Sequence, residues 1–135
     1  MWTVIAAVAI AGIAGSITDW LFMGLLFHDA YNAYPEIWRP GVREGNARAA
    51  ILWSIALGVV MSAGVAALCA VAGAGTLWSG MGVALVAWLA GPFVILIVQG
   101  LFVKIDTKIT VAHCLGYLAR MLLAGAAAGT ILPLA

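Results

Sequence analysis

From Ala49 to Val103 the chain carries no Asp, Glu, Lys or Arg. A charge-free run of that length is too long for the core of a small soluble domain. In a bilayer it must satisfy its backbone hydrogen bonds internally, which membrane-spanning helices do. The turn residues Gly73-Ala74-Gly75-Thr76 divide the run into two spans, and a further apolar stretch lies on either side. The reading is an all-α, four-helix transmembrane bundle, a single domain over 1–135. Its spans fall at about 2–27, 47–72, 77–103 and 109–132, with a polar connection at 28–46. Only 8% of the residues are charged, against about 25% in an average soluble chain.

The position of the charges gives the topology. All six Lys/Arg and all five Asp/Glu lie at or towards the end that holds the 28–48 connection and the Lys104-Ile105-Asp106-Thr107-Lys108 turn. The positive-inside rule makes that end cytoplasmic and places the N- and C-termini on the non-cytoplasmic side of a cell inner membrane. Met1-Trp2-Thr3 offers no positive n-region, so the first apolar stretch reads as a retained span. The net charge of +1 by itself says nothing about nucleic acid, and no nucleic-acid partner is expected. The expected surroundings are the lipid bilayer and a homo-oligomer or membrane partner protein.

Small residues recur at four-residue spacing, as where helix backbones approach closely. Span 1 has Ala7, Ala11 and Gly15, continued by Asp19. Span 2 has Ser54, Gly58, Ser62, Ala66 and Ala70. Span 4 has Ala112, Gly116, Arg120, Ala124 and Ala128, with Gly125 and Gly129 as a GxxxG pair. The glycine-lined faces of spans 2 and 4 exceed what one small bundle needs, hence the expected oligomer or partner subunit. Gly91-Pro92 should kink span 3. Tyr31, Tyr34 and Trp38 fall opposite Asp29, Glu36 and Arg39, an amphipathic interfacial piece limited by Pro35. Trp2, Ala11, Gly15 and Gly24 match Trp78, Ala87, Gly91 and Gly100 at an offset of 76, which reads as coincidence among Ala/Gly-rich helices.

Asp19 and Arg120 are the charges set inside apolar helices. At 1.5 Å per residue Asp19 lies about 12 Å and Arg120 about 18 Å from the cytoplasmic ends of their spans. Each costs about 2.5–3.5 kcal/mol at mid-bilayer on insertion scales, and the long arginine stem closes the difference in depth. The two are expected to pair, either as a structural tie between spans 1 and 4 or as a polar path. A second set, His28, Asp29, Gln99, His113 and Tyr117, could form a ligand or proton site. His28 lies nine residues beyond Asp19, about half a turn round a regular helix. The two histidines have side chains suited to metal or haem, but no HxxxH or CxxC spacing accompanies them, so no metal and no particular cofactor is assigned. Cys69 and Cys114 read as core residues.

Asp19-Trp20-Leu21-Phe22-Met23-Gly24, followed by Phe27-His28, Tyr31 and Trp38, resembles the first-helix region of an uncharacterised bacterial family. Its members are small four-helix integral membrane proteins known only as a domain of unknown function. That resemblance implies the architecture and no activity. Arg43, Asn46 and Arg48 also resemble the helix-2 polar motif of the four-helix glutathione-transferase-like membrane enzymes. Here the glutamate of that motif is missing, since residues 49–72 carry no charge. Three functions remain open: a non-enzymatic subunit or lipid- or partner-binding scaffold; a small oligomeric transporter or channel with an Asp19/Arg120 path; and a membrane enzyme or cofactor carrier using the histidines. The first is preferred.

Overall fold

The structure, a computed structural model, describes residues 2–34 and 38–134. Its order is α1 (Trp2–Asp19), a π-helical segment (Trp20–Leu26), α2 (His28–Asn32), α3 (Pro40–Arg43), α4 (Arg48–Val71) and α5 (Leu77–Trp88). A second π segment (Leu89–Phe93), α6 (Val94–Phe102), α7 (Thr107–Ile131) and a 3-10 turn (Leu132–Leu134) complete it. Four helices are long and apolar enough to cross a membrane: Trp2–Leu26, Arg48–Val71, Leu77–Phe102 and Thr107–Ile131. The protein is an all-α, four-helix membrane bundle. The expected break at Pro35 and the charge of Glu36 lie outside the described residues, as does the Tyr31 side chain.

The turns follow from local chemistry. Gly73 takes φ +65 and ends α4, a left-handed conformation that glycine adopts without a Cβ clash. Thr76 and Ser79 then form a capping box, the Ser79 amide donating to Thr76 Oγ1 at 3.2 Å and the Thr76 amide to Ser79 Oγ at 3.0 Å. Span 4 starts at Thr107 rather than 109 because Asp106 caps it: Lys108 N donates to Asp106 Oδ1 at 2.7 Å. The other oxygen of Asp106 accepts from Tyr34 Oη at 3.1 Å, tying the first connection to the third. Among the described residues the first connection holds two short helices, α2 and α3, the second with Pro40 in its first turn.

Spans 1 and 3 are not regular α-helices. Phe27 N donates to Phe22 O at 3.0 Å, a five-residue step that closes the first π segment. In span 3 the π segment holds Pro92, which cannot donate to the carbonyl four residues back, so the wider turn absorbs the proline. The two irregularities do not correspond at the offset of 76. Residues 20–26 map onto 96–102, which are plain α-helix.

Span 4 is the hub, touching all three others, while spans 1 and 3 flank it. Half of its most apolar stretch is buried, against 28% in spans 1 and 2 and 11% in span 3. Its GxxxG pair is used within the chain. A Cβ on Gly125 would strike the carbonyl of Gly80 and the side chain of Ala84, and one on Gly129 would strike the Thr76 carbonyl. Backbone therefore lies directly on backbone between α5 and α7. On the far flank Trp88 Nε1 donates to the Cys114 carbonyl at 3.1 Å, and the Trp88 ring meets Phe93 at 4.9 Å. Cys69 and Cys114 are free, buried thiols.

Replacing Gly125 by Val should separate α5 from α7 and lower stability by about 3 kcal/mol or more. Gly64, with nothing within 4 Å of a built Cβ, should accept Ala with a change within about 1 kcal/mol. Reversible unfolding in mixed micelles would separate the two, and equal effects would refute the crossing.

Candidate functional site

Arg120 projects from the middle of α7 towards spans 1 and 2. It is 3% exposed. Glycines on both neighbours make room for it. A Cβ on Gly15 would lie 2.6 Å from Arg120 Nε, and one on Gly58 would coincide with Nη2. Nη1 donates to Asp19 Oδ2, closing an ion pair between spans 1 and 4, with the Asp19 side chain still 33% exposed. The small-residue rows of three spans therefore meet at one level, around a guanidinium. Nε and Nη2 of Arg120 are buried and meet no hydrogen-bond acceptor among the described residues.

The pair stands at one end of a cavity of about 220 Å³ between spans 1, 2 and 4. His113 and Tyr117 line it from α7, Phe22 and Met23 from the π segment, and Ser54, Leu57, Gly58 and Met61 from α4. His113 is half-buried and within electrostatic reach of Asp19. Phe22 comes to Gly116, whose added Cβ would sit 3.8 Å from that side chain. Met23, Ser54, Leu57 and Tyr117 are exposed and form the mouth. The Ser54 hydroxyl donates to its own helix, to the Ile51 carbonyl at 2.9 Å. Towards the chain termini the bundle closes: Ala7, Ala11, Ala66, Cys69, Ala84, Ala124 and Ala128 are at most 5% exposed.

Of the residues read from the sequence, Asp19, Arg120, His113 and Tyr117 come together. Gln99 does not join them, being exposed on α6 in the span that packs least. His28 and Asp29 are exposed at the start of α2, outside the cavity lining, so the two histidines do not share a site. The half-turn between Asp19 and His28 assumed a regular helix; the π segment and the break at Phe27 replace that geometry. Sequence reasoning missed Phe22, Met23, Ser54, Leu57, Gly58 and Met61 as one wall. Gly58 had a signal, since it shares the row that meets Arg120. Among the described residues, no group of three His, Cys, Asp or Glu side chains could hold a metal ion.

Residues 6–129 match the sequence profile of a family described as "Protein of unknown function (DUF1761)". The chain belongs to the DUF1761 family. No curated protein and no solved structure matches it. Membership in DUF1761 names no activity.

Breaking the pair leaves a charge in a low-dielectric setting. Asp19→Asn and Arg120→Gln should each lower stability by roughly 2–3 kcal/mol, under the usual 3–5 for full burial because Asp19 keeps a third of its exposure. The double variant should lose less than the sum. Additive losses in a double-mutant cycle would show that the two charges do not stabilise one another.

Proposed function

We propose that this protein is a non-enzymatic membrane bundle that binds the polar end of a lipid-like amphiphile in the cavity between spans 1, 2 and 4. The observation that carries the reading is the order of the cavity wall. Asp19, His113 and Arg120 supply polar groups inside, and Met23 and Leu57 supply apolar side chains at an exposed mouth. A site for a fully water-soluble ligand would not need an apolar rim facing the bilayer. A single water needs about 10–15 Å³, so the space suits a head group.

Two alternatives have less support. A carrier or channel using Asp19 and Arg120 needs a route onward, and among the described residues the alanine-packed half beyond Arg120 offers none within one chain. Such a route would have to run between protomers. An enzyme or cofactor carrier using the two histidines would need both at one ligand, whereas His113 lines the cavity and His28 is exposed at the start of α2, outside that lining.

The topology belongs to the same proposal. The 28–47 connection and the 103–106 turn face the cytoplasm of an inner membrane, and the mouth opens into the cytoplasmic half of the bilayer. A homo-oligomer or partner protein would have to use surface other than Gly125 and Gly129, which are already covered by α5.

Native mass spectrometry of the protein released gently from lipid should show a stoichiometric lipid-like adduct. Ser54→Trp, which places a large ring at the mouth on an exposed position, should remove the adduct without lowering thermal stability. A wild-type protein without an adduct, or a variant that keeps it, would overturn the binding reading.

A further inference from the structure

The charge balance inside the cavity points to the chemistry of the head group. Arg120 contributes one positive charge and Asp19 one negative, and they already pair. What remains unmet is hydrogen bonding. Arg120 Nε and Nη2 are buried donors with no acceptor among the described residues, and Nη2 rests against Gly58, part of the cavity wall. An orphaned buried donor is costly, more so when it belongs to a charged group. A guest oxygen would relieve that cost once a small shift of the guanidinium uncovers Nη2 from Gly58.

A second full negative charge would not suit the same place. It would approach the carboxylate of Asp19, which is a third exposed, in surroundings that screen poorly. A neutral oxygen meets no such penalty. A hydroxyl fits best, because its oxygen accepts from Arg120 while its hydrogen can be given to the remaining lone pairs of Asp19. His113 and Tyr117, the other titratable groups lining the cavity, can each complete the contacts as donor or acceptor.

We propose that the guest is a neutral lipid whose head offers a hydroxyl or carbonyl oxygen to Arg120 beside Asp19, and that anionic phospholipids are excluded. This rests on the binding reading above and adds the ligand class to it. Diacylglycerol and phosphatidic acid of the same acyl chains differ by one phosphate, which makes them a direct pair of probes.

The test is a competition. The full chain is placed in phosphatidylcholine nanodiscs carrying equal amounts of the two lipids, and the retained lipid is identified by native mass spectrometry after mild release. Diacylglycerol should be retained, with phosphatidic acid at least about tenfold weaker, since like charges brought together in a desolvated site are strongly unfavourable. Equal or preferred retention of phosphatidic acid overturns the neutral-lipid inference while leaving the binding reading standing. Retention of phosphatidylcholine alone overturns the inference about the head group, and retention of no lipid at all overturns both.

Asp19→Asn supplies a second readout, because it removes the negative charge and leaves the guanidinium. The preference should then shift towards phosphatidic acid by about tenfold or more. A folded Asp19→Asn protein that keeps the wild-type preference would refute the role given to Asp19. The wild-type competition decides the head-group question even if that variant fails to fold.

Discussion

A guanidinium buried among membrane helices is the constraint from which much of this architecture derives. Arg120 sits in the central span, and a lone charge there would cost about 2.5–3.5 kcal/mol on insertion scales. The chain answers with a carboxylate 101 positions away on span 1. It also answers with space, because Gly15 and Gly58 leave room that any Cβ would take. A buried ion pair adds little net stability over a well-packed apolar alternative, but breaking it is expensive. Its effect is to set register. Spans 1, 2 and 4 can slide or rotate little without leaving Arg120 unpaired or driving it into a helix backbone.

Span 3 is held by different physics. It lies against span 4 through glycine and alanine at direct backbone contact, reinforced by the bond from Trp88 to the Cys114 carbonyl. Van der Waals contact and weak polar contacts drive such association in lipid, where burying apolar surface gives no gain. The two modes divide the bundle. Close packing fills the half near the termini, and the ion pair governs the half near the charged connections. The first π segment begins immediately after Asp19. Its wider turn shifts the azimuth of the side chains along it and sets Phe22 and Met23 into the cavity wall.

The architecture was legible because lipid leaves a backbone few choices. Long charge-free runs give helices, and two charges in opposite-running spans at compatible depths give a pair. The small-residue rows were legible as tight contacts but not as contacts with a stated partner. Gly125 and Gly129 suggested a neighbouring chain, whereas α5 of the same chain covers them. A repeat of small residues states how closely a helix can be approached and is silent on what approaches. Gln99 and His28 misled for a related reason. Polarity inside or beside a span suggests function, but which way a side chain faces depends on packing and on π segments that a 3.6-residue period cannot anticipate. Four polar residues of the cavity, Asp19, His113, Tyr117 and Arg120, were legible, but its apolar wall was not, since a void is a property of how three helices diverge.

The closed half of the bundle also limits what the open half can do. A conducting protein needs polar lining or removable packing along its whole thickness, as ions and solutes must be accommodated at every depth. Here the charged side chains of the described residues end at Arg120; beyond it the Ser62 hydroxyl donates to its own helix, to the Gly58 carbonyl at 3.0 Å, and the helices meet largely through alanine and glycine. A polar pocket that opens at one depth, beside exposed apolar side chains, supports the proposal of exchange with the bilayer over transport across it. The same arrangement explains why the ion pair is left partly exposed. Complete burial of Asp19 would make a better lock and a poorer site. On the proposed lipid-binding reading, the side chain that joins the helices also meets the head group, while the acyl chains stay among the lipids.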